Sequence, residues 1–298
     1  LVIFNELYNF AGFNNFNDLK IFTTKNNLQQ HLLQIQDSHR TIGLVPTLGA
    51  LHQGHLSLIA QAQHYNDEIV CSIFVNPTQF NDPKDLEKYP RTIEQDIKLL
   101  EQADCNVLFK PEVKEIYDDN EQWHLDIGEL EHLLEGKFRP GHYQGVTQVV
   151  YKLFNIVKPD TAYFGQKDYQ QFLIIKKMVE LLKMPVQLVM CPIKRESDGL
   201  AMSSRNIHLT AEDRTHALIL SKTLNSVTNN FNINNISQLK KEAEMMISSE
   251  PGVELEYFEI ADGDTLHSAN QNSKTIVALV AAKVGKTRLI DNVLLVHG

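Results

Sequence analysis

Short, almost unbroken apolar runs alternate, as far as Lys194, with longer segments whose apolar residues recur at helical spacing. No other feature constrains the fold as strongly. Thr41 to Pro46 (TIGLVP), Glu68 to Val75 (EIVCSIFV), Val107 to Phe109 and Gln187 to Cys191 read as strands. Leu56 to Ala62, Leu86 to Leu100, Gln144 to Val157 and Gln170 to Leu182 read as helices. A strand apolar on both sides must be covered on both faces, and helices that connect parallel neighbours supply the cover. The expected fold is therefore α/β, a Rossmann-like, doubly wound parallel sheet.

Beyond Lys194 the pattern changes. Ala211 to Asn230 and Ile236 to Ser249 are helical with polar faces, and Glu254 to Ile260 and Thr275 to Val284 alternate like antiparallel strands. A chain of 298 residues has material for two domains at roughly 150 residues each. The expectation is a Rossmann-like domain over 1–194 and a smaller C-terminal α+β domain over 195–298.

Charge limits the partners. Lys plus Arg number 28 and Asp plus Glu 37, a formal charge of −9, which opposes binding to a phosphate backbone, so nucleic acid is not an expected partner. The longest apolar stretch, Ile276 to Ala282, is far short of the roughly 20 residues of a spanning helix, so a membrane is not one either. Cys71, Cys105 and Cys191 form no CxxC pair and no even framework, and are expected reduced, in the cytoplasm. Leu1 to Phe13 carries Glu6 and no basic leader, unlike a secretory signal; residues 1–18 are set aside as an extension.

The densest cluster of reactive groups is Pro46-Thr47-Leu48-Gly49-Ala50-Leu51-His52-Gln53-Gly54-His55, where the first strong strand gives way to a helix. Ligands of open parallel sheets sit outside the carboxyl ends of the strands, and a helix start offers free N–H groups to an anion, phosphate above all. Gly49 and Gly54 allow close backbone approach, and His52 and His55 lie on one side of the first turn. Zinc is not expected, because no HExxH, CxxC or nearby carboxylate completes a ligand set. No GxGxxG follows the first strand, and Gly285-Lys286-Thr287 lacks the earlier glycine of a P-loop.

Two further clusters, Gly165-Gln166-Lys167-Asp168 and Met202-Ser203-Ser204-Arg205, suit phosphates: Lys167 and Arg205 neutralise charge and the serines donate hydrogen bonds. Taken singly, each reads equally as an exposed ion pair or a capping turn. Gln79, in Asn76-Pro77-Thr78-Gln79-Phe80, can hydrogen-bond a small polar substrate or simply belong to a turn. The arginine of Arg139-Pro140-Gly141-His142 either binds a carboxylate or decorates the surface.

Together these stretches resemble the pantoate:β-alanine ligase family of the HxGH nucleotidyltransferase-like group. The resemblance runs from Leu19 to the carboxyl end through VPTLGALHQGHLSLI, SIFVNPTQF, YPRT, FRPGHYQGV, KLFNIVKPDTAYFGQKDYQQ, RESDGLAMSSRN and RLIDN. It implies that ATP and pantoate give pantoyl adenylate and pyrophosphate, after which β-alanine displaces AMP. It further implies that Leu48, Gly49, Ala50, Leu51, His52, Gln53, Gly54 and His55 bind ATP. Gly165, Gln166, Lys167, Asp168, Lys194, Met202, Ser203, Ser204 and Arg205 would do so too. His55, His52, Lys167 and Arg205 would be catalytic, His55 as proton donor and the histidines as imidazolium near neutral pH. Gln79 would bind pantoate and β-alanine, and Gln171 pantoate. Mg²⁺ would travel with ATP, with Asp96 a candidate contact; the C-terminal domain would close as a lid, and the protein would be a homodimer. Leu48 stands where the family usually has Met, Gln53 where it has Glu, and Gln148 where it has Thr.

Two rivals share the cluster. A nucleotidyltransferase acting on a phosphorylated acceptor would need further basic residues where Gln79 and Gln171 stand. A binding protein that had lost its chemistry would be expected to lack one of His52, His55, Lys167 and Arg205.

Overall fold

The computed structural model describes residues 18–119 and 121–296; the extension expected over 1–18 thus lies, except for Asp18, outside the described residues. The strands are β1 (Lys20–Phe22), β2 (Ile42–Thr47), β3 (Glu68–Ile73), β4 (Val107–Phe109), β5 (Thr161–Gly165), β6 (Gln187–Cys191), β7 (Val253–Asp262), β8 (Ile276–Val284) and β9 (Thr287–Val296). The helices are α1 (Lys25–Asp37), α2 (Gln53–Gln63), α3 (Pro83–Lys88), α4 (Ile93–Gln102), α5 (Val113–Ile116), α6 (Leu134–Phe138), α7 (His142–Val157), α8 (Tyr169–Leu181), α9 (Ala211–Asn230) and α10 (Ile236–Ser248).

Strands β1 to β6 form one sheet in the order β1-β4-β3-β2-β5-β6, and every pair is parallel. Successive residues of β3 feed opposite layers. Ile69, Cys71 and Ile73 pack with Leu58 and Ile59 of α2 and Leu100 of α4, while Val70 joins the layer of Leu32 in α1, Val150 in α7 and Ile174 in α8. Burial on both faces explains the unbroken apolar runs. The apolar faces of α7 and α8 belong to this core rather than to a spare surface.

Strand order reverses at β2, which has β3 on one side and β5 on the other. Pairing of β2 with β3 continues to Thr47↔Ile73, but pairing with β5 stops at Leu44↔Ala162. The carboxyl ends of β2 and β5 therefore separate, opening a crevice at the switch point where doubly wound sheets bind ligands.

Strands β7, β8 and β9 form a separate antiparallel sheet. Ile276, Ala278, Val280, Ala282 and Val284 of β8 pack with α9 and α10, whereas Val277 and Leu279 face Tyr169 and Leu173 of α8. Cover on both sides explains why this antiparallel strand reads IVALVAAKV, apolar throughout except for Lys283.

The segment expected as one helix over Leu86 to Leu100 is two, α3 and α4, because Tyr89-Pro90 breaks it: proline has no N–H to donate, and its predecessor is held extended. Strands β1, β5 and β9 and helix α1 are additional to the sequence reading.

Candidate active site

The crevice is the mouth of a cavity of about 490 Å³, the size of a small-molecule site. One wall comes from the end of β2 and the start of α2, and another from the loop after β5. The segment after β3, helix α7 with the turn before it, the chain after β6 and the C-terminal strands β7 and β9 complete it.

His52 is the N-cap of α2, with extended backbone, and His55 lies one turn in. They cap each other's turn. The Gly54 N–H donates to His52 Nδ1 at 3.1 Å, and the His52 N–H donates to His55 Nδ1 at 3.3 Å. Their rings lie 4.1 Å apart, centroid to centroid. Because Nδ1 accepts in both, each neutral ring carries its hydrogen on Nε2. Gly54 is required for this arrangement: a Cβ there would stand 2.8 Å from the His52 ring.

Two expectations are corrected here. Most N–H groups of this helix start are not free for phosphate, because those of His52 and Gly54 are taken by the histidines and that of His55 by the His52 carbonyl at 2.8 Å, which leaves the Gln53 N–H alone without an acceptor among the described residues. Nor are the rings imidazolium in the unliganded protein. Burial, reinforced by Lys167, lowers His52 to about 4, and burial, His52 and Lys167 lower His55 to about 3. Two Nε2–H donors and one open amide, that of Gln53, rather than a full row of backbone amides or fixed charges, are what the start of α2 can offer.

Asp96 of α4 is buried beneath the preceding loop. Its carboxylate accepts from Ala50 N–H (3.0 Å), Leu51 N–H (2.8 Å) and Thr92 Oγ1 (3.1 Å). It shapes the loop, and both its oxygens are in use.

Lys167, at the end of β5, lies 4.0 Å from Asp168. Its backbone and that of Gln166 are tied by Asn292 of β9, and neighbouring Asp291 holds Arg195 through two bonds at 2.6 and 3.1 Å. Arg205 pairs with Asp85 at 2.9 Å, and Ser204 meets Tyr89 at 3.3 Å. Gln79 is buried. Its Oε1 accepts from Asn76 and its carbonyl from His142 Nδ1, leaving its Nε2 to the cavity. Helix α7 approaches this closely only because residue 145 is glycine, since a Cβ there would lie 2.3 Å from the Thr78 carbonyl oxygen.

Of the residues singled out from sequence, Leu48, His52, Gly54, His55, Gln79, Gly165, Lys167, Asp168, Gln171, Lys194, Met202, Ser203, Ser204 and Arg205 line this cavity. Gly49 and Ala50 face a second cavity behind the loop, Leu51 is in the core, Gln53 is exposed, and Gln166 is bonded to Asn292. Asp85, Tyr89, Asp291 and Asn292 were not singled out. The YPRT and RLIDN stretches contain three of them, but nothing local marks their roles. Nothing in the structure explains Gln148, which is buried in α7.

A doubly wound parallel sheet with a His-x-Gly-His helix start at its switch point, faced by a lysine and an arginine, defines a nucleotide-using enzyme of the HxGH nucleotidyltransferase-like class. Comparison with known proteins narrows the class. The family model described as pantoate-beta-alanine ligase matches residues 20–294. Pantothenate synthetase of Azobacteroides pseudotrichonymphae is 46% identical over 278 residues, 92% of this chain and 99% of that one. That of Thermotoga neapolitana is 46% identical over 280 residues, covering 93% and 100%. The crystal structure of pantothenate synthetase from Thermus thermophilus superposes with a TM-score of 0.87 at 36% identity, covering 93% of this chain and 100% of that one. Pantoate-beta-alanine ligase from Francisella tularensis, solved with beta-gamma ATP and beta-alanine, gives 0.76 at 37%, covering 93% and 98%. The chain belongs to the pantoate-beta-alanine ligase family.

Proposed function

We propose that this enzyme joins pantoate to β-alanine in two ATP-driven steps: pantoyl adenylate and pyrophosphate form first, and β-alanine then displaces AMP. The observation that carries the reading is the convergence of the His52 and His55 Nε2–H groups, Lys167, Arg205 and the free amide of Gln79 on one cavity at the sheet's switch point. Attack of a carboxylate on the α-phosphorus builds negative charge on the phosphate oxygens, and donors aimed there in advance lower the barrier. Lys167 and Arg205 supply charge, and the histidines donate from Nε2, His55 passing a proton to the departing pyrophosphate. A triphosphate raises the proton affinity of both rings when it binds.

In this reading Leu48 to His55, Gly165 to Asp168, Lys194 and Met202 to Arg205 hold ATP. Gln79 and Gln171 hold pantoate, and Gln79 also adjoins β-alanine. Mg²⁺ arrives on the phosphates. Asp96, the candidate contact, is committed to the loop through Ala50 and Leu51. The division at Lys194, with 195–298 acting as a lid that protects the adenylate from water, is supported by Glu256, Arg288, Leu289 and Ile290 on the cavity wall. Three free, buried cysteines support a cytoplasmic setting. A homodimer rests on the family resemblance alone.

The test is incubation with ATP, Mg²⁺ and pantoate, with and without β-alanine. Pantoate-dependent pyrophosphate exchange, with AMP release that requires β-alanine, is expected. Exchange without pantoate, or none at all, would overturn the reading.

A further inference from the structure

Arg139 and His142 line the cavity from a single turn, and nothing in the adenylation step uses either. Arg139 ends α6, its carbonyl accepts the His142 N–H at 3.1 Å, and left-handed Gly141 closes the turn. The Arg139 guanidinium has no hydrogen-bond or ion-pair partner among the described residues. Glu135 is near but occupied: Arg288 takes its two oxygens at 2.7 Å each, and Tyr257 donates to one of them at 2.8 Å. Burial makes Arg139 an easier proton donor than usual. A cation withdrawn from water without a counter-charge is unfavourable unless an anion joins it.

His142 is the opposite of the α2 pair. Its Nδ1–H donates to the Gln79 carbonyl oxygen at 2.8 Å, so the neutral ring has its lone pair on Nε2, which has no partner among the described residues. Burial, followed by Arg139, lowers this group to about 3 and keeps it an acceptor at neutral pH. His52 and His55 present N–H groups to the cavity, and His142 presents a base.

We propose that Arg139 and His142 together seat the amine substrate, the guanidinium taking its carboxylate and the Nε2 lone pair of His142 taking the proton that its ammonium must lose. The inference rests on the ligase reading above. The carboxylate of pantoate is consumed at phosphorus and must lie by His52 and His55, whereas that of β-alanine survives into the product and requires a cation of its own. Gln79 adjoins both, with its side chain toward the acyl donor and its carbonyl on His142. The bound carboxylate offsets the charge of Arg139 and so raises the proton affinity of the His142 ring, and in the second step the ammonium transfers one proton to Nε2, giving an imidazolium. The freed nitrogen pair forms the C–N bond at the acyl carbon. The C–O bond to the adenylate phosphate then breaks, its electron pair leaving with AMP, and the second nitrogen-bound proton departs with that phosphate.

Two substitutions in the full enzyme test this. His142→Asn keeps an amide N–H for the Gln79 carbonyl but removes Nε2, and Arg139→Gln removes the charge. Pantoate-dependent pyrophosphate exchange reports the first step without an amine, and single-turnover consumption of the adenylate by β-alanine reports the second. Hydroxylamine, largely neutral at pH 7 and without a carboxylate, consumes the adenylate without needing either group. His142→Asn is expected to slow the β-alanine step on the order of 100-fold. Arg139→Gln is expected to raise half-saturating β-alanine on the order of 30-fold. Exchange and hydroxamate formation are expected to stay within about threefold of the parent in both. Loss of exchange or of hydroxamate formation in step with the β-alanine reaction would overturn the proposal in favour of a structural role, as would unchanged β-alanine saturation in Arg139→Gln. A parent without pantoate-dependent exchange would overturn the ligase reading, and this proposal with it.

Discussion

Asn292 holds Lys167 by its backbone: the Asn292 amide donates to the Lys167 carbonyl oxygen at 2.9 Å, and to that of Gln166 at the same distance. The cation at the end of β5 is thus placed by a strand more than a hundred residues downstream. Asn292→Ala leaves two carbonyls without that donor and frees the loop. The expected result is a loss of kcat/KM for ATP on the order of 10- to 100-fold, with about 1–3 kcal/mol of stability, read from steady-state kinetics and urea unfolding. An unchanged kcat/KM would show that β9 does not position Lys167.

Replacing Gly54 by Ala puts a methyl group 2.8 Å from the His52 ring and forces the ring off Nδ1 capping. Turnover is expected to fall on the order of 100-fold, the scale of losing one aimed donor, while the protein loses only about 1 kcal/mol from the lost cap. Rapid-quench measurement of adenylate formation, set beside a thermal melt, separates the two. Equal activity would mean that ring orientation does not matter.

Stability should rise with pH across the acidic range. His52, His55 and His142 bind protons more weakly when folded, at about 4, 3 and 3, than at the ordinary histidine value of 6.5. Between those limits the unfolded chain carries more protons, so stability is complete above about pH 6.5 and is lost as pH falls through 4 toward 3. Urea midpoints at pH 7 and pH 5 measure the loss, and His142→Asn should flatten the slope. A midpoint that stayed level would contradict burial of these rings in neutral form.

The Glu135–Arg288 pair joins α6 to β9 through two bonds of 2.7 Å. Burial pushes the Glu135 carboxyl up, but the bonds and charge of Arg288 outweigh it and leave Glu135 below its usual range. Glu135→Ala leaves the partly buried Arg288 guanidinium with Glu256, at 2.8 Å, as its remaining partner and takes the acceptor from Tyr257, and a cost of about 1–3 kcal/mol is expected, seen as a lower denaturation midpoint. A shift of the size produced by an exposed ion pair would place the C-terminal sheet's attachment elsewhere, in the contacts of Tyr169 and Leu173 with Val277 and Leu279.

How far the sequence reached depended on what its signals encode. Runs rich in Val, Ile and Leu announce themselves, so β2, β3, β4 and β6 were legible, whereas β5, Thr161-Ala162-Tyr163-Phe164-Gly165, is as buried but lacks those residues and was not. β1 was not, because Lys20-Ile21-Phe22 is a short, mostly exposed edge. Pro90 was visible as a breaker, yet the apolar spacing around it mimicked a continuous helix. Within the site, His52, His55, Lys167 and Arg205 stood out because their loops combine glycine with polar groups. Their tautomers and charge states did not, since these follow from Nδ1 contacts and burial. Asp96 and Asn292 act through backbone groups distant in sequence and Asp291 through the guanidinium of Arg195, and no local pattern reports such pairings.

The loop that turns from β2 into α2 has one further consequence. The N–H groups of Gly49, Ala50, Leu51, His52, Gly54 and His55 all have acceptors within the protein: Thr47, Asp96 for two of them, His55 and His52 for the others. With only the Gln53 N–H of that helix start left without an acceptor among the described residues, the main chain there has little to gain from a nucleotide and no reason to rearrange around one. Binding should accordingly carry little ordering entropy, and association should proceed at a rate set by diffusion and charge rather than by loop folding.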